Sequence, residues 1–129
     1  METEYATRPR EAIAQILQGE PRFLSAAQVC ARLVAAGHRV SRATVYRTLE
    51  RLAAKGEASL RVGARGEATF IHCEPEGHHH HAICRLCGRV EEVACGTLDA
   101  FVDRLHAING FTLDEHALEF YGRCRSCVS

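Results

Sequence analysis

Residues 41–56 are SRATVYRTLERLAAKG, and this stretch predicts a short amphipathic helix. Ser41 is a favourable N-cap residue, and Gly56 is a favourable residue for ending a helix. The predicted apolar face recurs at helical spacing and consists of Val45, Leu49, Leu52 and Ala53. The other face is polar and basic, with Arg42, Thr44, Tyr46, Arg47 and Arg51. One face therefore suits a protein core and the other suits phosphates and base edges.

Two further helices are predicted upstream. The first starts at Thr7-Arg8-Pro9-Arg10, carries Ile13, Ile16 and Leu17, and stops at Gly19. The second starts with the capping-box pattern Ser25-Ala26-Ala27-Gln28 and stops at Gly37. Its predicted apolar face consists of Val29, Cys30, Leu33 and Val34.

Beyond Gly56 the apolar pattern changes from helical to alternating. Residues 58–62 and 68–73 predict a hairpin around the turn Gly63-Ala64-Arg65-Gly66. Three short helices and a hairpin predict a winged helix-turn-helix. The polar stretch Glu74-Pro75-Glu76-Gly77 is the best linker candidate. We therefore predict a winged-helix DNA-binding domain over 1–74, a hinge over 75–78 and a metal-binding dimerisation domain over 79–129.

The remaining residues predict a small α+β domain. Strands are expected from His79 to Leu86 and from Arg89 to Ala94, joined through Cys87-Gly88. A helix is expected from Leu98 to Ile108, with a stop at Asn109-Gly110, and a last strand from Ala117 to Tyr121. The whole chain is therefore predicted to be of the α+β class.

Composition supports a small globular protein with two different halves. The chain has 129 residues, 47% apolar and 25% charged, which excludes bulk disorder and leaves no room for a large enzyme. The net charge is zero, yet residues 1–65 carry 11 basic and 6 acidic side chains, whereas residues 66–129 carry 5 and 10. A basic half suits phosphates and an acidic half suits cations. Because no apolar run approaches the length of a membrane span, we expect no membrane association and a cytoplasmic location.

The cysteines predict a structural metal site. The chain has 7 cysteines, and four of them form two CxxC pairs, Cys84 with Cys87 and Cys124 with Cys127. Two such pairs complete a closed tetrahedral zinc site with no open position for catalysis. Two disulfides or a thiol redox switch are the alternatives, and a reducing compartment favours the metal. Cys30 is expected in the core, and no role is predicted for Cys95.

Four consecutive histidines, residues 78–81, provide further candidate ligands. In a strand their side chains alternate, so His78 and His80 point one way and His79 and His81 point the other. Cys73 lies close enough in sequence to join one face, while Asp99 and His116 are candidates for the other. The alternative interpretation is a solvated polar run.

Nucleic-acid contacts are predicted from three segments of the first domain. Helix three contributes Arg42, Thr44, Tyr46 and Arg47, the entrance to helix one contributes Arg8 and Arg10, and the wing contributes Arg61 and Arg65. A zinc deaminase is the enzyme alternative, because His72-x-Glu74 precedes Cys84-x-x-Cys87. Its spacing is wrong, and the second CxxC pair fills the coordination position that a catalytic water needs. We therefore expect no enzyme activity.

Taken together, these motifs resemble the ferric uptake regulator family over nearly the whole chain. The resemblance rests on residues 41–49, the histidine run, residues 84–92 (CRLCGRVEE) and the terminal CxxC pair. It implies a homodimer with an N-terminal winged helix and a C-terminal dimerisation domain. In that family, bound metal fixes the two DNA-binding heads for a palindromic operator in double-stranded DNA.

Within the family the chain most resembles the zinc uptake regulators. The resemblance implies a repressor of metal uptake genes with one structural zinc and one or two regulatory zinc ions per subunit. The sensing site then falls on Cys73, His79 and His81, and a further site falls on His78, His80, Asp99 and His116. The wing position that supplies another ligand in such sensors is Ser59, so the fourth ligand is His72, Glu92 or water. A family regulator that senses iron, manganese, nickel or peroxide is the alternative.

Overall fold

The structure is a computed structural model that describes residues 2–74, 79–114 and 118–128. The chain divides into two compact units, Met1–Pro75 and Glu76–Ser129. The first unit contains α1 (Glu2–Gln18), β1 (Leu24–Ser25), α2 (Ala26–Ala35), α3 (Arg42–Ala54), β2 (Ala58–Val62) and β3 (Ala68–His72). The second contains β4 (His79–Cys84), β5 (Val90–Ala94), a 3-10 turn (Cys95–Leu98), α4 (Asp99–Asn109), β6 (Glu119–Gly122) and α5 (Arg125–Val128).

Helix α1 is longer than the sequence predicted. It begins at Glu2 and contains Pro9, so the predicted start at Thr7-Arg8-Pro9 is wrong. A proline inside a helix removes one backbone hydrogen bond, but the rest of the ladder remains available. The C-terminal half buries Ile13 and Leu17 completely, and this packing holds the helix in place.

The capping signals of α2 and α3 are confirmed. The backbone N–H of Gln28 donates to the Ser25 hydroxyl, and the Gln28 side chain in turn accepts from the N–H of Ser25 at 2.8 Å. At the start of α3 the N–H of Thr44 donates to the Ser41 hydroxyl at 3.1 Å. Each side chain satisfies N–H groups that the first helical turn leaves unpaired.

The apolar faces of α2 and α3 build the core of the first unit. Val29, Leu33, Val45 and Leu49 are buried, with Cys30, Leu52 and Ala53 packed at the edge of the cluster. The prediction for Val34 is wrong, because its side chain is 73% exposed. Val34 lies five residues after Val29, about 140° further around the helix axis, and therefore points away from the core.

A three-stranded sheet completes the winged unit, in the strand order β1-β3-β2. The predicted hairpin pairs Ala58 with His72 and Val62 with Ala68 in antiparallel register. Strand β1 was not predicted, since two residues are too few to show a period. It pairs Leu24 with Phe70, which is fully buried and connects the sheet to the helical core.

The second unit is a three-stranded sheet with helices, in the strand order β5-β4-β6. Strand β4 runs antiparallel to β5 and parallel to β6. Helix α4 ends at Gly110, which has a φ of 67°, as the Asn-Gly signal predicted. None of the helix's residues is buried, and Phe101 and Ile108 are 57% and 70% exposed. Among the described residues, no helix combines the length and the apolar character needed to cross a bilayer.

Two identical substitutions in α2 test this core. We expect Val29→Ala to lower the free energy of unfolding of the winged unit by about 2 kcal/mol, because it removes buried methyl groups and leaves a cavity. Val34→Ala in the same helix should change it by less than about 0.5 kcal/mol. Chemical denaturation followed by circular dichroism measures both values, and equal effects would contradict the packing described.

Candidate metal centre and nucleic-acid interface

Strand pairing brings the two CxxC pairs together. In the parallel ladder Cys84 on β4 lies opposite Gly122 on β6, and Cys124 follows two residues later. The backbone N–H of Arg85 donates to the carbonyl of Gly122 at 2.8 Å, which extends this pairing past the end of β4. The Arg85 guanidinium also lies 5.2 Å from the centre of the Tyr121 ring. The end of the chain is thus attached at the turn that carries Cys84 and Cys87.

Two tight turns then bring the four sulfur atoms close together. Gly88 has a φ of 79°, and its N–H donates to the carbonyl of Cys84 at 3.0 Å, closing the first turn. In the second, the N–H of Cys127 donates to the carbonyl of Cys124 at 2.9 Å. Each turn therefore presents both of its thiols on the same side.

The four sulfurs form a compact cluster. All four lie within 4.8 Å of one another, and the Sγ atoms of Cys87 and Cys124 are 3.6 Å apart. A disulfide would require about 2.05 Å, so the sulfurs are not bonded to each other. A tetrahedral zinc ion with bonds of about 2.3 Å separates its sulfurs by about 3.8 Å, close to the observed spacing. The cluster therefore fits a four-coordinate soft cation.

The electrostatics of the cluster also favour a cation. The backbone N–H of Cys87 donates to the Cys84 sulfur at 3.5 Å and is the main reason that the pKa of Cys84 falls to about 6. The backbone N–H of Arg89 lowers the pKa of Cys87. In contrast, hydrogen bonding to Cys124 and Cys84 raises the pKa of Cys127 to about 12. Cys127 thus retains its proton at neutral pH. A divalent cation that binds the four sulfurs displaces this proton and balances the charge of the thiolates.

Three of the four consecutive histidines, residues 79–81, lie on β4, the central strand of the second sheet. His81 is 8% exposed and lies opposite Glu92 on β5 and Glu119 on β6. His79 precedes it by two positions on β4 and pairs with Ala94. Cross-strand neighbours share a face of the sheet, so the side chains of His81 and Glu92 belong to one face. Glu92 is therefore the cross-strand neighbour of His81 on β5.

The other predicted ligands are distributed differently. His72 Nε2 lies 3.2 Å from the Glu74 carboxylate, and the N–H of Cys73 donates to the carbonyl of Glu57 at 3.0 Å. His80 is 2% exposed, and Asp99 is exposed at the start of α4. His78 and His116 lie outside the described residues. Among described residues, the four cysteines are the only group of three or more candidate ligands that converges on one point.

The polar face of α3 is available at the surface. Arg42 and Arg47 are exposed, and Tyr46 is 42% exposed with its ring edge-on to Phe70 at 6.5 Å between centroids. Tyr46 is therefore supported by the wing sheet. Thr44 is half-buried, and its hydroxyl accepts from Ser41 at 2.9 Å, which engages it in the helix cap.

The arginines outside α3 differ in their surroundings. Arg8 and Arg10 are exposed on α1, and Arg65 is exposed at the tip of the wing. Arg61 is partly buried, and its guanidinium lies 5.8 Å from the centre of the Phe23 ring. The sequence did not predict the first turn of α2 as part of this surface. That turn lines one wall of an open groove of about 760 Å³, together with Arg42, Tyr46 and the wing tip.

Comparisons with known proteins agree with these features. The sequence model described as the ferric uptake regulator family matches residues 4–121. The zinc uptake regulation protein of Mycobacterium tuberculosis is 34% identical over 124 residues, covering 96% of this chain and 95% of that protein. The ferric uptake regulation protein of Legionella pneumophila is 37% identical over 126 residues, covering 94% and 89%. A solved zinc uptake regulator in complex with zinc and DNA is 25% identical, with a TM-score of 0.65 over 98% of this chain and 89% of that chain.

The family model and these relatives identify the class of protein as a metal-responsive transcriptional regulator rather than an enzyme. The chain belongs to the ferric uptake regulator family, as the motifs of the sequence predicted.

Metal content tests the cysteine cluster. We expect Cys124→Ser to lower the zinc content of the purified protein by one ion per chain and to destabilise the second unit, because three thiolates hold zinc less well than four. Cys30→Ser, at the edge of the core of the first unit, should leave the zinc content unchanged. Elemental analysis after desalting measures both, and an unchanged content in Cys124→Ser would refute a metal at this cluster.

Proton release tests the charge state of the cluster. At pH 7 Cys84, with its lowered pKa, is already mostly a thiolate, whereas Cys127 still carries its proton. Zinc bound by all four sulfurs must therefore release at least one proton and fewer than four, and the apparent affinity should rise with pH. Zinc titration of the reduced metal-free protein in weak buffer with a pH indicator counts the protons. Release of none or of four would contradict these pKa directions.

Proposed function

We propose that this protein is a zinc-responsive transcriptional repressor. In this proposal the metal-loaded homodimer binds a palindromic operator in double-stranded DNA and controls metal uptake genes in the cytoplasm. The observation that carries the proposal is the combination of an exposed basic recognition surface on α3 with a four-thiol cluster in the second unit. The first supplies the contact with DNA, and the second supplies a scaffold that depends on metal.

The proposed DNA-binding role is supported by the two different faces of α3, one apolar and buried and the other basic and exposed. Val45 and Leu49 are fully buried, so the opposite face, with Arg42 and Arg47, is directed outward. Such a helix enters the major groove, where arginine and tyrosine contact phosphates and base edges. Exposed Arg8, Arg10 and Arg65 supply further phosphate contacts, and Arg61 contributes less because it packs on Phe23. Thr44 acts mainly through the helix cap.

The proposal of a homodimer is supported by the exposed apolar surface of the second unit. Large apolar side chains that a core would normally bury are exposed there, namely Phe101, Ile108, Phe111, Leu118, Phe120 and Tyr121. An exposed apolar surface of this kind marks a protein interface. A twofold dimer carries two recognition helices, which matches an operator made of two inverted half-sites.

The regulatory response is proposed for the histidine-rich strand. The proposed sensing ligands are Cys73, His79 and His81, with His72, Glu92 or water as the fourth. The pairing of His81 with Glu92 supports Glu92, whereas His72 is engaged by Glu74. A thiolate among imidazole and carboxylate ligands suits zinc. The further site proposed from the sequence comprises His78, His80, Asp99 and His116. Zinc that binds the DNA-competent dimer more tightly than other arrangements shifts the population toward DNA binding.

An iron-responsive or other metal-responsive regulator is the second candidate. It is favoured by the 37% identity to a ferric uptake regulation protein, which is slightly higher than the 34% identity to the zinc uptake relative. The two candidates differ in which metal promotes DNA binding, whereas the closed four-thiol cluster is compatible with both.

A DNA-binding assay separates these proposals. The probe is a duplex selected from a random library with zinc-loaded protein, and fluorescence anisotropy is measured with zinc, ferrous iron, manganese or nickel, or after chelation. We expect zinc at the lowest free concentration to promote binding. Tyr46→Ala and Arg47→Ala should each weaken it by about 1–3 kcal/mol at unchanged zinc content.

Arg104→Ala on α4 is the charge-matched control, because Arg104 is exposed in the second unit. If iron or manganese acts at lower free concentration than zinc, the zinc assignment fails while the regulator remains. If Tyr46→Ala and Arg47→Ala bind as tightly as the parent protein, α3 is not the recognition helix.

A further inference from the structure

The tip of the wing is a five-residue turn from Gly63 to Glu67. The N–H of Gly63 donates to the carbonyl of Glu67 at 2.7 Å, and the N–H of Gly66 donates to the carbonyl of Gly63 at 3.0 Å. Gly66 has a φ of 82°, a left-handed conformation that favours glycine. These two bonds close the turn around Arg65, whose N–H points to its inside.

The carboxylate of Glu67 fills the inside of this turn. Its Oε2 atom accepts the backbone N–H of Arg65 at 3.0 Å. The other oxygen, Oε1, lies so close to Gly63 that a β-carbon at that position would overlap with it. Gly63 therefore provides the space, and Glu67 provides the acceptor that holds the backbone at Arg65.

The position of Glu67 is unusual for a DNA-facing surface. The groove between α2, α3 and the wing tip is lined by Arg42 and Arg65 as well as by Glu67. A carboxylate among these arginines repels phosphates. It therefore disfavours DNA binding unless it also has a structural role that compensates for the repulsion. The hydrogen bond from the Arg65 backbone to the Glu67 carboxylate indicates this structural role.

We propose that Glu67 is a positioning residue for the wing, an inference that rests on the proposed DNA-binding function. Its carboxylate holds the turn in the conformation from which the Arg65 side chain enters the groove shared with Arg42 and Tyr46. There the Arg65 guanidinium contacts a phosphate of the DNA backbone. The gain in that contact exceeds the repulsion from one carboxylate.

Two substitutions separate the effect of the carboxylate's position from the effect of its charge. Glu67→Gln removes the charge but keeps a side-chain oxygen that accepts the Arg65 N–H. Gly63→Ala keeps the charge but displaces the carboxylate, and Gly63 is not among the glycines with positive φ, so alanine fits its backbone. Glu67→Ala removes both features, and Arg65→Ala removes the proposed phosphate contact.

The test measures the salt dependence of binding between the zinc-loaded protein and a short duplex of random sequence. Each phosphate contact contributes about 0.9 to the slope of log affinity against log salt. Since the proposed homodimer carries two copies of Arg65, Arg65→Ala should lower the slope by about 1.8. Glu67→Ala and Gly63→Ala should lose a similar amount, while Glu67→Gln stays close to the parent protein. Hydrogen exchange at the Arg65 amide should accelerate in Glu67→Ala and Gly63→Ala only.

The opposite pattern would overturn the proposal. If Glu67→Gln and Glu67→Ala both bind more tightly and Gly63→Ala binds like the parent, the carboxylate only repels DNA. An unchanged slope in Arg65→Ala would also refute it. If the parent protein binds no duplex, the proposed function itself fails, and hydrogen exchange at Arg65 still decides whether Glu67 holds the turn. Zinc content and melting temperature of each variant verify folding.

Discussion

The second unit depends on the parallel pairing of β4 with β6. This pairing sets Cys84 opposite Gly122 and so delivers Cys124 and Cys127 to the turn after β4. The unit buries few apolar side chains among its described residues, chiefly Ile83 and Val90. A domain of this size with so small a core needs an additional constraint. In the proposed function, a cation held by the four thiolates would link the end of the chain to the central strand and provide that constraint.

The winged unit is stabilised differently. Its helices and sheet meet at a continuous apolar cluster in which Ile13, Val29, Leu49 and Phe70 are fully buried. Since α3 contributes one face to this cluster, the orientation of its other face is determined by packing and requires no metal. The Tyr46 ring, edge-on to Phe70, shows how the same core also supports a residue of the recognition surface.

The first unit therefore presents an exposed basic helix face on a packed apolar core, and the second unit presents four converging thiols beside a small core. The charges follow the same division, since the basic side chains concentrate in the first half of the sequence and the acidic ones in the second. In the winged unit, the acidic side chain of Glu67 lines the same groove as Arg42 and Arg65, and it accepts a hydrogen bond from the Arg65 backbone.

Local features were predictable because they depend on neighbouring residues. The caps at Ser25 and Ser41, the stop at Gly110 and the hairpin from Ala58 to His72 all follow from side chains within a few positions. The CxxC spacing likewise indicated the four ligands of the cluster, and the family motifs indicated the class of protein.

Features that depend on distant contacts required the tertiary structure. Strand β1 exists only through its pairing with β3, and α1 continues past Pro9 with its later turns packed on the core. The exposure of Val34 and the placement of the Glu67 carboxylate against Gly63 depend on how the elements pack. The sequence by itself determined the caps at Ser25 and Ser41, the turn at Gly110 and the spacing of the cysteine pairs, because those preferences are local. Which strands pair, which side chains are buried and which arginines reach the groove were decided only in three dimensions, because those contacts join residues far apart in the chain.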